Sequence, residues 1–197
     1  MSRTSMDMTR GSLKKQILFF SIPLMLSNLL QVLFNMSDIA VIGQFAGAMS
    51  LGAVGSTTTL ISMYTGFLIG LSGGINVLTA LYIGARNRKS VSETVHSAFL
   101  VSLAVGLILL ILGVSTSRGV LVLLNTKEEL IDKAALYIRI YFLGIPALAL
   151  YNFGNAVFSA AGDTGRPLRY LFLSGIVNVI LNLFFVIVCK LDVVGVA

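Results

Sequence analysis

Residues 16–42 read QILFFSIPLMLSNLLQVLFNMSDIAVI, a run of 27 residues with a single charge, Asp38. About 20 apolar residues suffice to cross the hydrocarbon core of a bilayer as a helix, so this run is long enough to span. Arg10, Lys14 and Lys15 precede it, as they would a signal peptide. Pro23, Asn28, Gln31 and Asn35 interrupt it, however, and no small-residue cleavage site succeeds it, so it is better understood as a retained first span. Four further blocks of the same kind occupy about 52–83, 94–116, 134–160 and 168–189. Barrel strands would be about 10 residues long with strict alternation, a pattern these blocks lack. In lipid every backbone polar group must be satisfied within the segment, which blocks of this length achieve only as helices. The fold class is therefore all-α, a polytopic transmembrane helix bundle of about five spans.

Composition agrees. Hydrophobic residues make up 56% of the 197 and charged residues only 11%, against about 25% charged in an ordinary soluble domain. The mean hydropathy is +0.94. A net charge of +6 sits in short clusters between apolar blocks, not on the broad basic face that nucleic acid requires, so no nucleic-acid partner is expected. The clusters alternate: Arg3, Arg10, Lys14 and Lys15 precede span one, Arg86, Arg88 and Lys89 follow span two, and Arg166 and Arg169 follow span four. The intervening loops are nearly uncharged or mixed in sign, so residues 1–15 form a cytoplasmic N-terminal segment by the positive-inside rule. Residues 16–197 form the membrane bundle. Its last residues, Val193 to Ala197, are small and apolar, as though a sixth helix were beginning, and the chain is expected to be truncated there. Cys189 is the only cysteine, which rules out an intrachain disulfide and a thiolate metal cluster.

Polar residues inside the spans carry the functional argument. Asn28, Gln31, Asn35 and Asp38 succeed one another at offsets of three and four, so they share one helical face. A carboxylate at a helix centre costs about 2.5–3.5 kcal/mol to insert and is by default a functional candidate. The alternative places Asp38 at the outer interface, where it helps to end the helix near Gly43 and Gly47. Ser174, Asn178 and Asn182 form a second stripe on span five, and Asn152, Asn155 and Ser159 a third on span four, above Tyr137, Arg139 and Tyr141. Three stripes turned inward would line one aqueous cavity. Asn and Ser also join membrane helices by hydrogen bonds without any transport, so a scaffold or receptor remains the rival.

Pro23 and Pro146 each admit a static kink or a hinge. Arg139 is free to snorkel outward or to pair with Glu128, Glu129 or Asp132. His96 suits a loop or interfacial position better than a proton relay. Gly43 with Gly47, and Gly66, Gly70, Gly73 and Gly74, are spaced for close helix packing. Gly162-Asp163-Thr164-Gly165 with Pro167 is a turn signal between spans four and five. No phosphate-cradling loop, zinc-protease motif or Ser/His/Asp set occurs, so no enzyme and no cofactor is expected.

Several of these stretches resemble the multidrug and toxic compound extrusion (MATE) transporters. Pro23, Asn35-Met-Ser-Asp-Ile-Ala-Val-Ile-Gly43 and Leu51-Gly-Ala-Val-Gly55 look like that family's first-span region. Ala161-Gly-Asp-Thr-Gly-Arg-Pro-Leu168 and then Asn178-Val-Ile-Leu-Asn182 resemble its fifth-span region. Tyr137 to Pro146 looks like the start of its fourth span, and Gly84-Ala85-Arg86 like its turn after span two. The resemblance covers nearly the whole chain.

It implies the N-terminal lobe of a two-lobed transporter in a multi-pass plasma-membrane setting. Such a protein exports organic cations or other amphiphiles by antiport with H⁺ or Na⁺. It implies cation coupling at Asp38, Asn178 and Asn182, with Na⁺ at Asp38 the only metal ion in view. The substrate cavity would take in Gln31, Asn35, Tyr137, Tyr141, Asn152 and Asn155, and Pro23 would be the hinge. The partners would be lipid, small cationic or amphiphilic substrates and the missing C-terminal lobe. In many prokaryotic members an Asp stands where this chain has Asn182. Asn cannot take up a proton near pH 7, although its carbonyl can ligate Na⁺. A lipid-linked saccharide or lipid flippase of the same superfamily is the alternative, for which Arg139 is the one cavity cation on offer.

Overall fold

The computed structural model describes residues 13–196, so most of the basic segment 1–15, and Ala197, lie outside the described residues. Six helices succeed one another: α1 (Leu13–Val41), α2 (Gly47–Gly84), α3 (Arg88–Leu123), α4 (Glu128–Leu143), α5 (Ile145–Ala160) and α6 (Gly165–Leu183). Wider π-type turns at Ile42–Ala46 and Phe184–Val188 extend α1 and α6, and a 3₁₀ turn covers Asp192–Gly195. No strand occurs among the described residues.

Helical structure is continuous from Lys14 to Gly84, 71 residues, which as one rod would be roughly 107 Å at 1.5 Å per residue. That is more than three times a hydrocarbon core of about 30 Å. Gly47 divides it: φ 86° and ψ 172° belong to a backbone region open essentially to glycine alone. Beyond it the chain folds back, so that Leu51 lies 3.6 Å from where a Cβ on Gly43 would stand. Val41, Ile42 and Val54 consequently share one apolar cluster. α1 and α2 are thus two crossings.

α3 and the α6 run to Val188 are each long and apolar enough to span, and α4 with α5 qualifies only as a pair bent by 48°. The described chain therefore crosses five times. Span four was expected as one helix over 134–160. It begins earlier, at Glu128, and breaks at Gly144, because Pro146 has no N–H for the Phe142 carbonyl and its ring crowds that turn. Pro23, by contrast, sits inside an unbroken α1.

The bundle is inside out relative to a soluble protein. Large apolar side chains such as Met25, Leu29, Val32, Phe67, Ile111 and Leu173 are exposed, whereas Ser50, Thr57, Ser72, Thr79, Ser102 and Ser117 are buried. Two of those hydroxyls turn back on their own helix, Thr57 to the Val54 carbonyl at 2.7 Å and Ser117 to that of Val114 at 3.1 Å. Such bonds satisfy a buried hydroxyl without a second helix.

Close packing centres on α3. It buries Ala98, Ser102, Gly106, Leu109, Gly113, Ser117 and Leu121, one residue per turn and mostly small. A Cβ on Gly113 would fall inside the Phe142 ring, and one on Gly106 would come within 2.8 Å of the Pro146 Cα. The α4–α5 elbow thus lies directly on the α3 backbone. Phe142 is fully buried there, with Tyr64 of α2 edge-on at 4.8 Å between ring centroids.

The glycines expected to pack helices are a correction. A Cβ on Gly66, Gly70, Gly73 or Gly74 would meet nothing within 4 Å. Spacing alone identified small residues on α2 but not which helix face is covered: the buried face of α2 runs through residues such as Ala53, Thr57, Leu60, Leu68 and Ser72, and the glycines pressed by the elbow are Gly106 and Gly113 of α3.

Overpacking a tight core costs about 1–3 kcal/mol. Gly113→Val should therefore lower the melting temperature of the detergent-purified protein by several degrees. Gly70→Ala, which fills open space in a helix, should leave it unchanged or raise it.

Candidate functional site

α1 packs chiefly against α6, and the register of the pair is set at Gly175. The Phe34 ring occupies the space that a Cβ on Gly175 would need. Asp38 comes one turn beyond Phe34 on α1, and on α6 Asn178 comes one turn and Asn182 two turns beyond Gly175, positions that share the Phe34–Gly175 face at three- and four-residue spacing. Asn182 is 5% exposed and its Nδ2 donates to Asp38 Oδ1 at 2.6 Å. The same nitrogen donates to Asn178 Oδ1 at 3.3 Å. Both amide hydrogens of Asn182 are thereby engaged, one by a carboxylate, the stronger class of acceptor.

Tyr137 of α4 is buried in the apolar cluster formed by Val41, Ile42, Val54, Val186, Val193 and Val196. Val41 and Ile42 follow Asp38 and Val186 follows Asn182 along the chain, so the cluster closes that end of the α1–α6 seam. Tyr141 is half-buried, its ring centroid 6.3 Å from that of Tyr137. Gln31 and Asn35 continue the Asp38 stripe of α1 on its exposed surface.

The third stripe goes elsewhere. Asn152, Asn155 and Ser159 of α5 face Ser72, Gly73 and Asn76 of α2 across a shallow groove of about 190 Å³. Asn76 Nδ2 donates to the Ala156 carbonyl at 2.8 Å, joining the two helices, and Asn152 Nδ2 donates to Leu148 O at 3.0 Å. The stripes of α1 and α6 therefore meet each other, while that of α5 meets α2. Ser72, Asn76 and Thr79, at offsets of four and three on α2, carried the sequence signal for this second meeting, and the glycines around them obscured it.

A further polar cluster was hidden in loop residues. Lys133 of α4 donates to Asp192 Oδ2 at 2.5 Å and to Ser50 Oγ of α2 at 3.1 Å. It ties two helices to the turn after α6. Burial alone would raise the Asp192 carboxyl, but hydrogen bonds from Lys133 and Ser50 and the Lys133 charge outweigh it and hold the group below the usual carboxylate range. Arg139, offered Glu128, Glu129 or Asp132 by the sequence, instead donates from Nε to Ser117 Oγ at 3.3 Å. Asp132 pairs with Arg118 at 3.4 Å on the exposed surface. Four-residue spacing carries Arg139 two turns past Asp132 and onto α3, out of reach of the first-turn acids. No group of three or more His, Cys, Asp or Glu residues placed to hold a metal ion occurs among the described residues.

A bundle of apolar crossings with one amide-held carboxylate between its first and last helices is the architecture of a polytopic membrane protein. The MatE family model matches residues 23–184, and the chain belongs to that family. It is 31% identical over 191 residues to the probable multidrug resistance protein YpnP of Bacillus subtilis strain 168, covering 97% of this chain and 43% of that protein. A crystal structure of MATE in the bent conformation superposes with a TM-score of 0.88 at 27% identity, over 95% of this chain and 42% of that one. A MOP-superfamily transporter from Pyrococcus furiosus, described as having a binding pocket of reverse polarity, gives 0.91 at 26% identity, over 100% and 43%. The chain thus spans less than half the length of the curated relatives it matches.

Because the Asp192 pKa is depressed, the Lys133–Asp192 pair contributes stability that is present above the unfolded carboxylate value of about 3.9 and is lost as pH falls through the lower folded value. Asp192→Asn should therefore lower the melting temperature by a constant amount from pH 8 to about pH 5, and the wild-type and variant curves should converge in stronger acid.

Proposed function

We propose that this chain is the N-terminal lobe of a secondary active efflux transporter in the plasma membrane, its basic N-terminal segment on the cytoplasmic side. On this reading it exports organic cations or other amphiphilic compounds by antiport with H⁺ or Na⁺. The observation that carries the proposal is the 2.6 Å contact between Asn182 and Asp38. It places the one carboxylate of the α1–α6 seam against an amide whose two hydrogens are both committed. The relatives named as probable multidrug resistance proteins support that class of cargo.

Asp38 is the coupling residue, with Asn178 and Asn182 completing its surroundings. A proton can join the other carboxylate oxygen, Oδ2, while the Asn182 bond to Oδ1 persists. Na⁺ ligation by Asn182 would need its carbonyl, so the amide would have to turn over and break that bond. H⁺ is accordingly the coupling ion that requires less rearrangement. Binding of either ion removes charge from the seam and changes how α1 is held against α6. Substrate and ion then compete through their different affinities for the two arrangements of α1, with Pro23 as the hinge.

Gln31 and Asn35 offer hydrogen bonds to substrate on the exposed continuation of the same stripe, with Tyr141 toward its closed end beside buried Tyr137; Asn152 and Asn155 line the separate groove between α2 and α5. A second lobe is needed to complete the path. The flippase alternative wants a cationic cavity for pyrophosphate, and Arg139, its candidate, is turned to Ser117 on α3.

In vesicles containing the full-length protein, Asp38→Asn should reduce ethidium efflux driven by a pH or Na⁺ gradient to the level of empty vesicles, with an unchanged elution profile and melting temperature. Undiminished gradient-driven efflux would remove Asp38 from the coupling mechanism. Transport that tracks a pH gradient at zero Na⁺ assigns the ion as H⁺, and the converse dependence assigns Na⁺.

A further inference from the structure

The turn between α5 and α6 is built more firmly than a connection requires. Gly162, at φ 77°, closes α5, with its N–H bonded to Ser159 O at 3.0 Å and that of Asp163 to Phe158 O at 2.9 Å. Asp163 is 3% exposed, and both its oxygens are used. Oδ2 meets Arg166 Nε at 3.0 Å, and Oδ1 accepts the Arg166 backbone N–H at 3.2 Å, which caps the first turn of α6. The Arg166 guanidinium also stands 5.8 Å from the Phe158 ring centroid. Between these fixed points lies Thr164, itself buried, whose Oγ1 donates to Phe20 O of α1 at 3.3 Å.

Phe20 adjoins the weakest stretch of α1. Pro23 has no N–H to give to the Phe19 carbonyl, and the Ser27 hydroxyl turns back to the Pro23 carbonyl at 2.9 Å. A hydroxyl bonded back in this way tends to bend a helix. On the far side of that stretch α1 is fastened to α6 by Phe34 against Gly175 and by Asp38 with Asn182. α1 is thus held on both sides of its proline by different chemistry. The Asp38 fastening involves a charge and changes when an ion binds. The Thr164 fastening is a neutral hydroxyl on a carbonyl and does not.

We propose that Thr164 is a positioning residue that anchors the N-terminal part of α1 to the α5–α6 turn, so that bending at Pro23 moves only the part that carries Asp38. The inference rests on the transport reading for its purpose but not for its geometry, and the two can fail separately. The test uses the full-length protein in lipid with Thr164→Val, which keeps the shape and removes the hydroxyl, and Thr164→Ser, which restores it. Hydrogen–deuterium exchange of backbone amides 16–24 should accelerate about fivefold in the valine variant, the effect of losing one neutral hydrogen bond. Amides 28–41 and those of α6 should stay at wild-type rates. Gradient-driven ethidium efflux should fall in maximal rate with unchanged KM, and serine should restore both readouts.

Unchanged exchange at 16–24, or acceleration spread evenly over α1 and α6, overturns the anchor. Local acceleration with an unaltered maximal rate overturns its part in the movement. Loss of the transport reading shows independently, as efflux that Asp38→Asn does not touch.

Discussion

Helices surrounded by hydrocarbon gain nothing by hiding apolar side chains from one another, so this bundle depends on how closely backbones can approach. The decisive approach is the α4–α5 elbow against α3. Gly113 leaves the room that the Phe142 ring fills, and Gly106 lets the Pro146 backbone touch α3. With the elbow seated, Tyr64 of α2 closes on Phe142 and Tyr137 of α4 is presented to the ends of α1 and α6. The bend at Gly144 is therefore a working part of the fold: α4 and α5 lie on α3 in two different directions and serve two different seams.

Those seams divide the polar residues. One lies between α1 and α6, where Phe34 over Gly175 sets the register and Asp38, one turn along α1, meets Asn182, two turns along α6. The other lies between α2 and α5, where Asn76 holds the Ala156 carbonyl. Asn182 and Asn76 are each engaged by a neighbouring helix, as the absence of water in lipid demands. The first seam contains a charge that an ion can neutralise. The second is neutral throughout its groove. A membrane bundle that changes shape needs both kinds, since a helix can move relative to its neighbours only if something else stays put.

The large features were legible in the sequence because a bilayer imposes length. Five apolar blocks became five crossings, and three- and four-residue offsets placed Asp38 and Asn182 on faces that meet. What escaped were contacts that depend on which face is turned where. The glycines of α2 are prominent in the sequence and open in space, whereas Gly106 and Gly113 lie among ordinary apolar residues and carry close contacts with the elbow. Lys133 and Asp192 are 59 residues apart in stretches that read as solvated loops, and only the fold joins them. The bend in span four arose from Pro146, but no local rule told it apart from Pro23, which α1 absorbs.

Asn182 in place of a second acid bears on energy conversion. A seam with one carboxylate can carry at most one unit of positive charge per cycle. Under the coupling proposed, a membrane potential of 100 mV then contributes about 2.3 kcal/mol per turnover, and each unit of pH difference about 1.4 kcal/mol. The first figure corresponds to a concentration ratio of about 50 for a neutral cargo. A cation expelled against the same potential would cancel it, leaving only the chemical gradient of the ion. Under that coupling, the single amide beside Asp38 limits the driving force that this seam supplies to the full-length protein, and the limit depends on the charge of the cargo.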